Sequence, residues 1–180
     1  MAVITLKDGS TKEIESGISA FELARSISEG LARAACAVEL NGKVCDLRTT
    51  IDDDCTVNFL TFDSEGGRHT FNHTCSHVMA QAVKRLYPDA KLTIGPSIDS
   101  GFYYDFDVEK PFSPEDLTKI EAEMKKIITE NPPIERFVLP VDEAAALMES
   151  KGEPYKVELV KDNRAVFFCF WAPDGPSAVR

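Results

Sequence analysis

The chain predicts an α+β fold in two units, and three observations carry that prediction. Short runs of β-forming residues alternate with stretches of helical periodicity. A polar, glycine-ended stretch, DSEGG at residues 63–67, separates a β-rich first third from the remainder and suits a linker. The 180 residues are 43% hydrophobic and 9% aromatic, enough to bury a core in each unit.

In the first unit, VITLKDGSTKEI places alternating residues around Asp8-Gly9 and predicts a hairpin with strands at 3–6 and 12–14. Ser19 and Glu22 form a capping box, after which Phe21, Ala24, Ile27 and Leu31 recur at helical spacing as one apolar face. AACAVELNGKVCDL and CTVNFL supply further strands, with Asn41-Gly42 as a tight turn. The order β-β-α-β-β predicts a small β-grasp, ubiquitin-like domain over residues 1–62.

In the second unit, Thr70 or Asn72 caps a helix that Pro88 ends. KLTIGPSIDSGFYYDFDV predicts two strands separated by a Gly-Pro turn and a Ser-Gly turn. Ser113-Pro114 opens another helix, with Leu117, Ile120, Met124, Ile127 and Ile128 on its buried side and Asn131-Pro132-Pro133 as its stop. A strand at IERFVLP, a short helix at DEAAALMES closed by Gly152, and a strand at YKVELV complete an α+β domain. AVFFCFWA, residues 165–172, reads as a buried apolar strand before a Pro/Gly tail.

The net charge of −10 is spread along the chain, with six basic and ten acidic residues up to Phe62 and fourteen and twenty beyond it. Neither part is a basic arm, so intrinsic affinity for nucleic acid is expected to be weak and no DNA partner is expected. The apolar runs fall short of the roughly 18 residues needed to span a bilayer, and the first ten residues lack a signal-peptide core; a soluble, cytoplasmic protein without a membrane partner is expected. Five cysteines without a CxxC pair point to reduced thiols.

HTCSHVMAQAVKRLYP sets His73 and His77 four positions apart on one helix, so they share a face with Lys84 and Ala80. Phe71, Cys75, Val78, Ala82 and Leu86 form an apolar stripe on the opposite side, so the core does not require the histidines. A solvated face and a functional pair both remain open. Such a pair also ligates zinc in some helices, but Thr74 stands where a zinc protease carries its glutamate, and a closed site needs two further ligands. No metal site is expected in this chain.

HTCSHVMAQAVKRLYPDAKLTIGPSIDSGFYYDF, together with GEPYKVEL, resembles the editing domain of the bacterial threonyl-tRNA synthetase family, and the preceding unit resembles that family's N-terminal TGS domain. The resemblance spans residues 1–160. It implies a TGS domain at 1–62, a linker at 63–67, an editing domain at 68–160 that is incomplete at its C-terminal side, and a divergent tail at 161–180. It also implies hydrolysis of seryl-tRNA mischarged on threonine tRNA, with His73 and His77 orienting or deprotonating a water and Lys156 stabilising the oxyanion. Tyr104 and the Gly95-Pro96 turn match pocket wall, although a packed strand and a plain turn account for them equally well.

In that family an Asp-x-Cys-x-x-x-His element follows and supplies the other half of the editing constellation. Here the residues after Val160 read KDNRAVFFCFWAPDGPSAVR, with Cys169 but no later histidine. A divergent strand, a truncation and a shifted frame all produce such an ending. The 180-residue chain is therefore expected to deacylate no faster than a His73→Ala control. Two alternatives are a freestanding hydrolase and a catalytically dead module that binds RNA or a partner through the TGS domain. ATP, zinc and a homodimer interface are implied only for the family's catalytic domain, so this chain is expected to carry no cofactor. Threonine tRNA is the implied partner.

The charge balance predicts that the chain binds threonine tRNA more weakly than micromolar at physiological salt. Fluorescence anisotropy with labelled tRNA checks this, and a micromolar or tighter Kd would show that local patches outweigh net charge.

Overall fold

The structure, a computed structural model, describes residues 1–132, 135–136, 139–162 and 169–170. It is an α+β fold with two compact units: Met1–Thr74 with Ser97–Gly101, and Cys75–Pro96 with Phe102–Arg180.

The first unit opens with the expected hairpin, β1 (Ala2–Leu6) against antiparallel β2 (Thr11–Ile14). Gly9 closes its turn at φ +84° by donating its N–H to the Leu6 carbonyl. After β3 (Ile18–Ser19) comes α1 (Ala20–Ile27), which has the predicted capping box: the Ser19 hydroxyl accepts from the Glu22 N–H, and the Glu22 carboxylate accepts from the Ser19 N–H. The buried side of α1 is Ala20, Leu23 and Ala24, whereas Phe21 and Ile27, expected on the inner face, are exposed. Leu31 does not continue that face either. The Ser28 hydroxyl accepts from the Leu31 N–H, which ends α1 and starts α2 (Glu29–Ala34) in a new direction.

β4 (Ala35–Leu40) and β5 (Lys43–Cys45) form the second hairpin. Its turn residues Asn41 and Gly42 both have positive φ, as a two-residue primed turn demands. β6 (Thr50–Ile51) pairs with β3, and β7 (Cys55–Thr61) lies at the centre of the sheet, parallel to β1 and antiparallel to β4. The order β2-β1-β7-β4-β5 is that of a β-grasp, with α1 packed over Ile4, Ile14, Val38 and Val57.

Within the expected linker, Asp63 and Ser64 form a turn and the residues from Glu65 onward are helical. α3 runs from Glu65 to Leu86, with the Ser64 hydroxyl accepting from the Gly67 N–H, so Ser64 rather than Thr70 or Asn72 caps it. The glycines serve a close approach: a Cβ on Gly67 would lie 1.8 Å from the Thr61 carbonyl oxygen, and one on Gly66 3.0 Å from Leu60. Only a bare backbone lets α3 leave β7 at this angle.

The expected pair of strands is broken into β8 (Lys91–Leu92), β9 (Ser97–Ile98), β10 (Gly101–Phe102) and β11 (Phe106–Asp107), with β8 antiparallel to β11 within the second unit. α4 (Pro114–Glu130) has a capping box between Ser113 and Asp116 and ends at Asn131, φ +44°. Ile120 and Ile127 are buried and Met124 packs beside them against Ala82, Val83 and Ala90 of the core, but Leu117 and Ile128 are exposed. Of the strand expected at IERFVLP, β12 (Glu135–Arg136) is described; residues 133–134 and 137–138 are outside the described set.

After α5 (Val141–Ser150) and Gly152 at φ +68°, YKVELV is a helix, α6 (Pro154–Asp162), and not a strand. Pro154 suits a first turn, and Val157 and Val160, three apart, are buried against Ala144, Ala145, Leu147 and Met148. Two helices packed as a hairpin override the β preference of the valines. β13 (Cys169–Phe170) pairs with β12, while the rest of the apolar run at 165–172 and the tail lie outside the described residues.

Replacing Ser19 with Ala removes the α1 cap and should cost about 1 kcal/mol. A urea titration then shows a lower midpoint with an unchanged slope; an unmoved midpoint would show that α1 is held by packing alone.

Candidate functional site

The histidine pair lies on α3, and both residues are exposed. The buried side of the helix is Ser76, Ala80, Ala82 and Val83. It is rotated from the stripe expected from the sequence, for Phe71 and Leu86 are exposed and Ala80, expected beside the histidines, is buried. The division between the two units falls between Thr74 and Cys75, so His73 belongs to the first and His77 to the second.

Within the second unit three separate segments converge. Ser76, fully buried, donates its hydroxyl to the Gly95 carbonyl at 2.9 Å and fixes the Gly95-Pro96 turn against α3. Gly95 faces the Tyr104 ring so closely that a Cβ would lie 2.1 Å from Tyr104 Cδ2. Lys156, in the first turns of α6, donates from Nζ to the Thr93 carbonyl at 2.8 Å and stands 5.8 Å from the centroid of the Tyr104 ring. Gly95, Tyr104 and Lys156, three of the residues singled out in the sequence, are thus in one place. The Thr93 and Asp105 backbones extend the β8–β11 ladder beneath them, and Tyr104 stacks on Phe106 with centroids 4.7 Å apart.

Burial sets the protonation behaviour here. It pushes the Tyr104 phenol up to about 12, with the negative charge of Glu153 adding to the effect, so Tyr104 is a neutral wall at physiological pH. Burial also lowers the Lys156 pKa below that of an ordinary lysine, against an opposing effect of Glu153. An ammonium offers three donors, one of which Thr93 takes. Cys75, between the histidines, is no ready nucleophile, because burial raises its thiol pKa.

Glu153 was not singled out in the sequence, yet it is one of two buried polar or charged residues among those described. One carboxylate oxygen meets Lys84 Nζ at 2.8 Å and the other accepts from the Leu92 N–H at 2.9 Å. Lys84 also donates to the Pro88 and Ala90 carbonyls, each at 2.9 Å. Lys84 was expected on the histidine face, but a basic residue at that place gives no hint of a partner 69 positions ahead. Among the described residues no three His, Cys, Asp or Glu side chains cluster as metal ligands. No helix among them is long and apolar enough to cross a membrane.

Residues 1–61 match the family model of the TGS domain. The chain is 64% identical over 162 residues to the threonine–tRNA ligase of Acetivibrio thermocellus, covering 90% of this chain and 26% of that protein. It is 64% identical to the threonine–tRNA ligase of Clostridium perfringens and 56% to that of Clostridioides difficile, in each case over 162 residues, 90% of this chain and 25% of the relative. The chain thus spans about a quarter of the length of these relatives.

Gly95→Ala should displace the Tyr104 ring, costing about 2 kcal/mol as overpacking and bringing the Tyr104 phenol down from about 12 as it gains solvent. Carbon NMR of labelled tyrosine across a pH series checks this, and an unchanged titration would mean that the ring absorbs the methyl group in place.

Proposed function

Because residues 1–61 are a TGS domain and the chain is homologous to the N-terminal region of threonine–tRNA ligases, we propose that it serves serine editing: hydrolysis of the ester in seryl-tRNA mischarged on threonine tRNA. The whole ligase would attach threonine to tRNA with ATP, and threonine tRNA would be the partner of both reactions. The observation that carries the reading is the half-buried Lys156 ammonium held by the Thr93 carbonyl beside Tyr104, whose ring lies against Gly95.

The need for such a site follows from energetics. Serine lacks one methyl group of threonine, and a pocket that accepts the larger side chain rejects the smaller by only about 10 to 200-fold. A second site that admits serine but collides with threonine's methyl supplies the remaining selectivity. A rigid wall suits that purpose. Gly95 and Tyr104 touch without slack, and Ser76 pins the Gly95 carbonyl.

In the reaction a water attacks the ester carbonyl carbon while the imidazole of His77, in the same unit as Lys156, accepts its proton; imidazoles titrate near neutral pH. The carbonyl oxygen becomes an oxyanion facing Lys156, whose ammonium acts more strongly in a half-buried setting than in water. Collapse of the tetrahedral intermediate breaks the bond to the terminal ribose oxygen. The imidazolium returns the proton to that oxygen, freeing serine and tRNA.

The test is made in a ligase chimaera with this chain in place of the aligned region of the Acetivibrio thermocellus enzyme. Seryl-tRNA for threonine should be deacylated faster than threonyl-tRNA, and Lys156→Ala should reduce the rate about 100-fold. The lowered Lys156 pKa places the alkaline loss of activity below the range of an ordinary lysine, because the ammonium is the active form. Deacylation at the parental rate by Lys156→Ala would overturn the assignment.

A further inference from the structure

We propose that Glu153 is a positioning residue that holds the Lys156 ammonium in place and in its charged form, an inference that rests on the editing reading for its purpose but not for its test. The two residues make adjacent rungs of one clamp between α6 and β8. Glu153, the residue before α6, accepts from the Leu92 N–H at 2.9 Å, and Lys156, three residues on, donates to the Thr93 carbonyl at 2.8 Å, so two consecutive residues at the end of β8 hold the start of α6 and its first turn. Glu153 is itself locked, because its second oxygen meets Lys84 at 2.8 Å and Lys84 is held by the Pro88 and Ala90 carbonyls. The Lys156 N–H donates to the Glu153 carbonyl at 3.1 Å, so pinning Glu153 to β8 also sets where the Lys156 side chain begins.

The geometry also makes Glu153 more than a structural pin. A buried carboxylate one turn from a half-buried ammonium favours its charged state. Other ionisable groups on the surrounding elements include His77 of α3; Arg85 of α3, paired with Glu123 at 3.0 Å and Glu130 at 2.7 Å; Lys84 of α3, taken up by Glu153; Tyr104, a neutral wall; Lys91 of β8, paired with Asp107 at 3.6 Å; Tyr155 of α6, which donates to Asp107 at 2.9 Å; Asp142 and Glu143 of α5; Glu149 of α5, paired with Lys161 at 3.4 Å; and Glu158 and Asp162 of α6. Glu153 is the carboxylate among these that shares the clamp with Lys156.

The deciding experiment follows the Lys156 side chain by NMR in the 180-residue chain with labelled lysine, the resonance being assigned from its loss in Lys156→Arg. Glu153→Gln keeps an acceptor for the Leu92 N–H but removes the charge, so Lys156 should titrate at lower pH than in the wild type. A purely structural role gives the opposite sign: loosening the site would let in water and raise the Lys156 pKa towards that of an ordinary lysine. An equal or higher titration point in Glu153→Gln therefore overturns the proposal. Glu153→Asp, which keeps the charge on a shorter stem, should titrate between the two and serves if the Gln variant fails to fold. In the ligase chimaera, Glu153→Gln should lower kcat by about 10 to 100-fold with little change in KM. If Lys156→Ala leaves deacylation intact there, the editing reading falls, while the NMR titration still decides the role of Glu153.

Discussion

A carboxylate almost wholly removed from water organises the second unit. Taking such a group out of solvent costs several kcal/mol unless its oxygens are met by charges and donors, and a half-satisfied group costs most. Glu153 meets the requirement with one cation and one backbone N–H, drawn from the end of α3 and from β8. Those partners cannot be present unless α3 ends near Leu86, the chain turns back through residues 87–90, and Glu153 sits between Gly152 and the start of α6 at Pro154. The positions of Lys156 and Thr93 follow from the same arrangement, since each is a near neighbour in sequence of a residue already held.

The Gly95-Pro96 turn obeys a steric constraint of the opposite kind. It is fixed by the absence of a side chain, with the Tyr104 ring in the space that a Cβ would take and the Ser76 hydroxyl on the carbonyl. Close contact of this sort leaves no room for one extra methyl group unless the ring moves. The same device recurs at the start of α3, where Gly66 and Gly67 let the helix pass against Leu60 and Thr61. In both places glycine reports close packing of backbone, not freedom of the chain.

The first unit rests on local chemistry that repeats along it. A serine hydroxyl begins α1, another ends α1 and begins α2, and a third sets the start of α3. Between them β7 joins the two hairpins by pairing with β1 on one side and β4 on the other, and Ile4, Val38 and Val57 are buried in the core that results. The similarity to the Acetivibrio thermocellus threonine–tRNA ligase runs over 162 residues, 90% of this chain, well beyond the TGS match at residues 1–61.

By itself the sequence determined those elements whose signals are local. The Asp8-Gly9 and Asn41-Gly42 turns, the capping box at Ser19, the helix start at Ser113-Pro114 and the stop at Asn131 were all legible, because each depends on the conformational preference or reach of one or two residues. The resemblance carried by GEPYKVEL and GFYYDF also singled out Gly95, Tyr104 and Lys156. Tertiary structure decided the rest. DSEGG has the composition of a linker but starts a helix, because the space beside β7 is open only to glycine. YKVELV has the valines of a strand but is a helix, because α5 offers a surface that Val157 and Val160 cover at a spacing of three. The face of α3 was rotated from its apolar stripe, because Ser76 is drawn inward by the Gly95 carbonyl while Phe71 and Leu86 stay exposed. Glu153 and Lys84 were invisible as a pair, since a contact across 69 positions leaves no periodicity to read and exists only once the chain has turned back on itself.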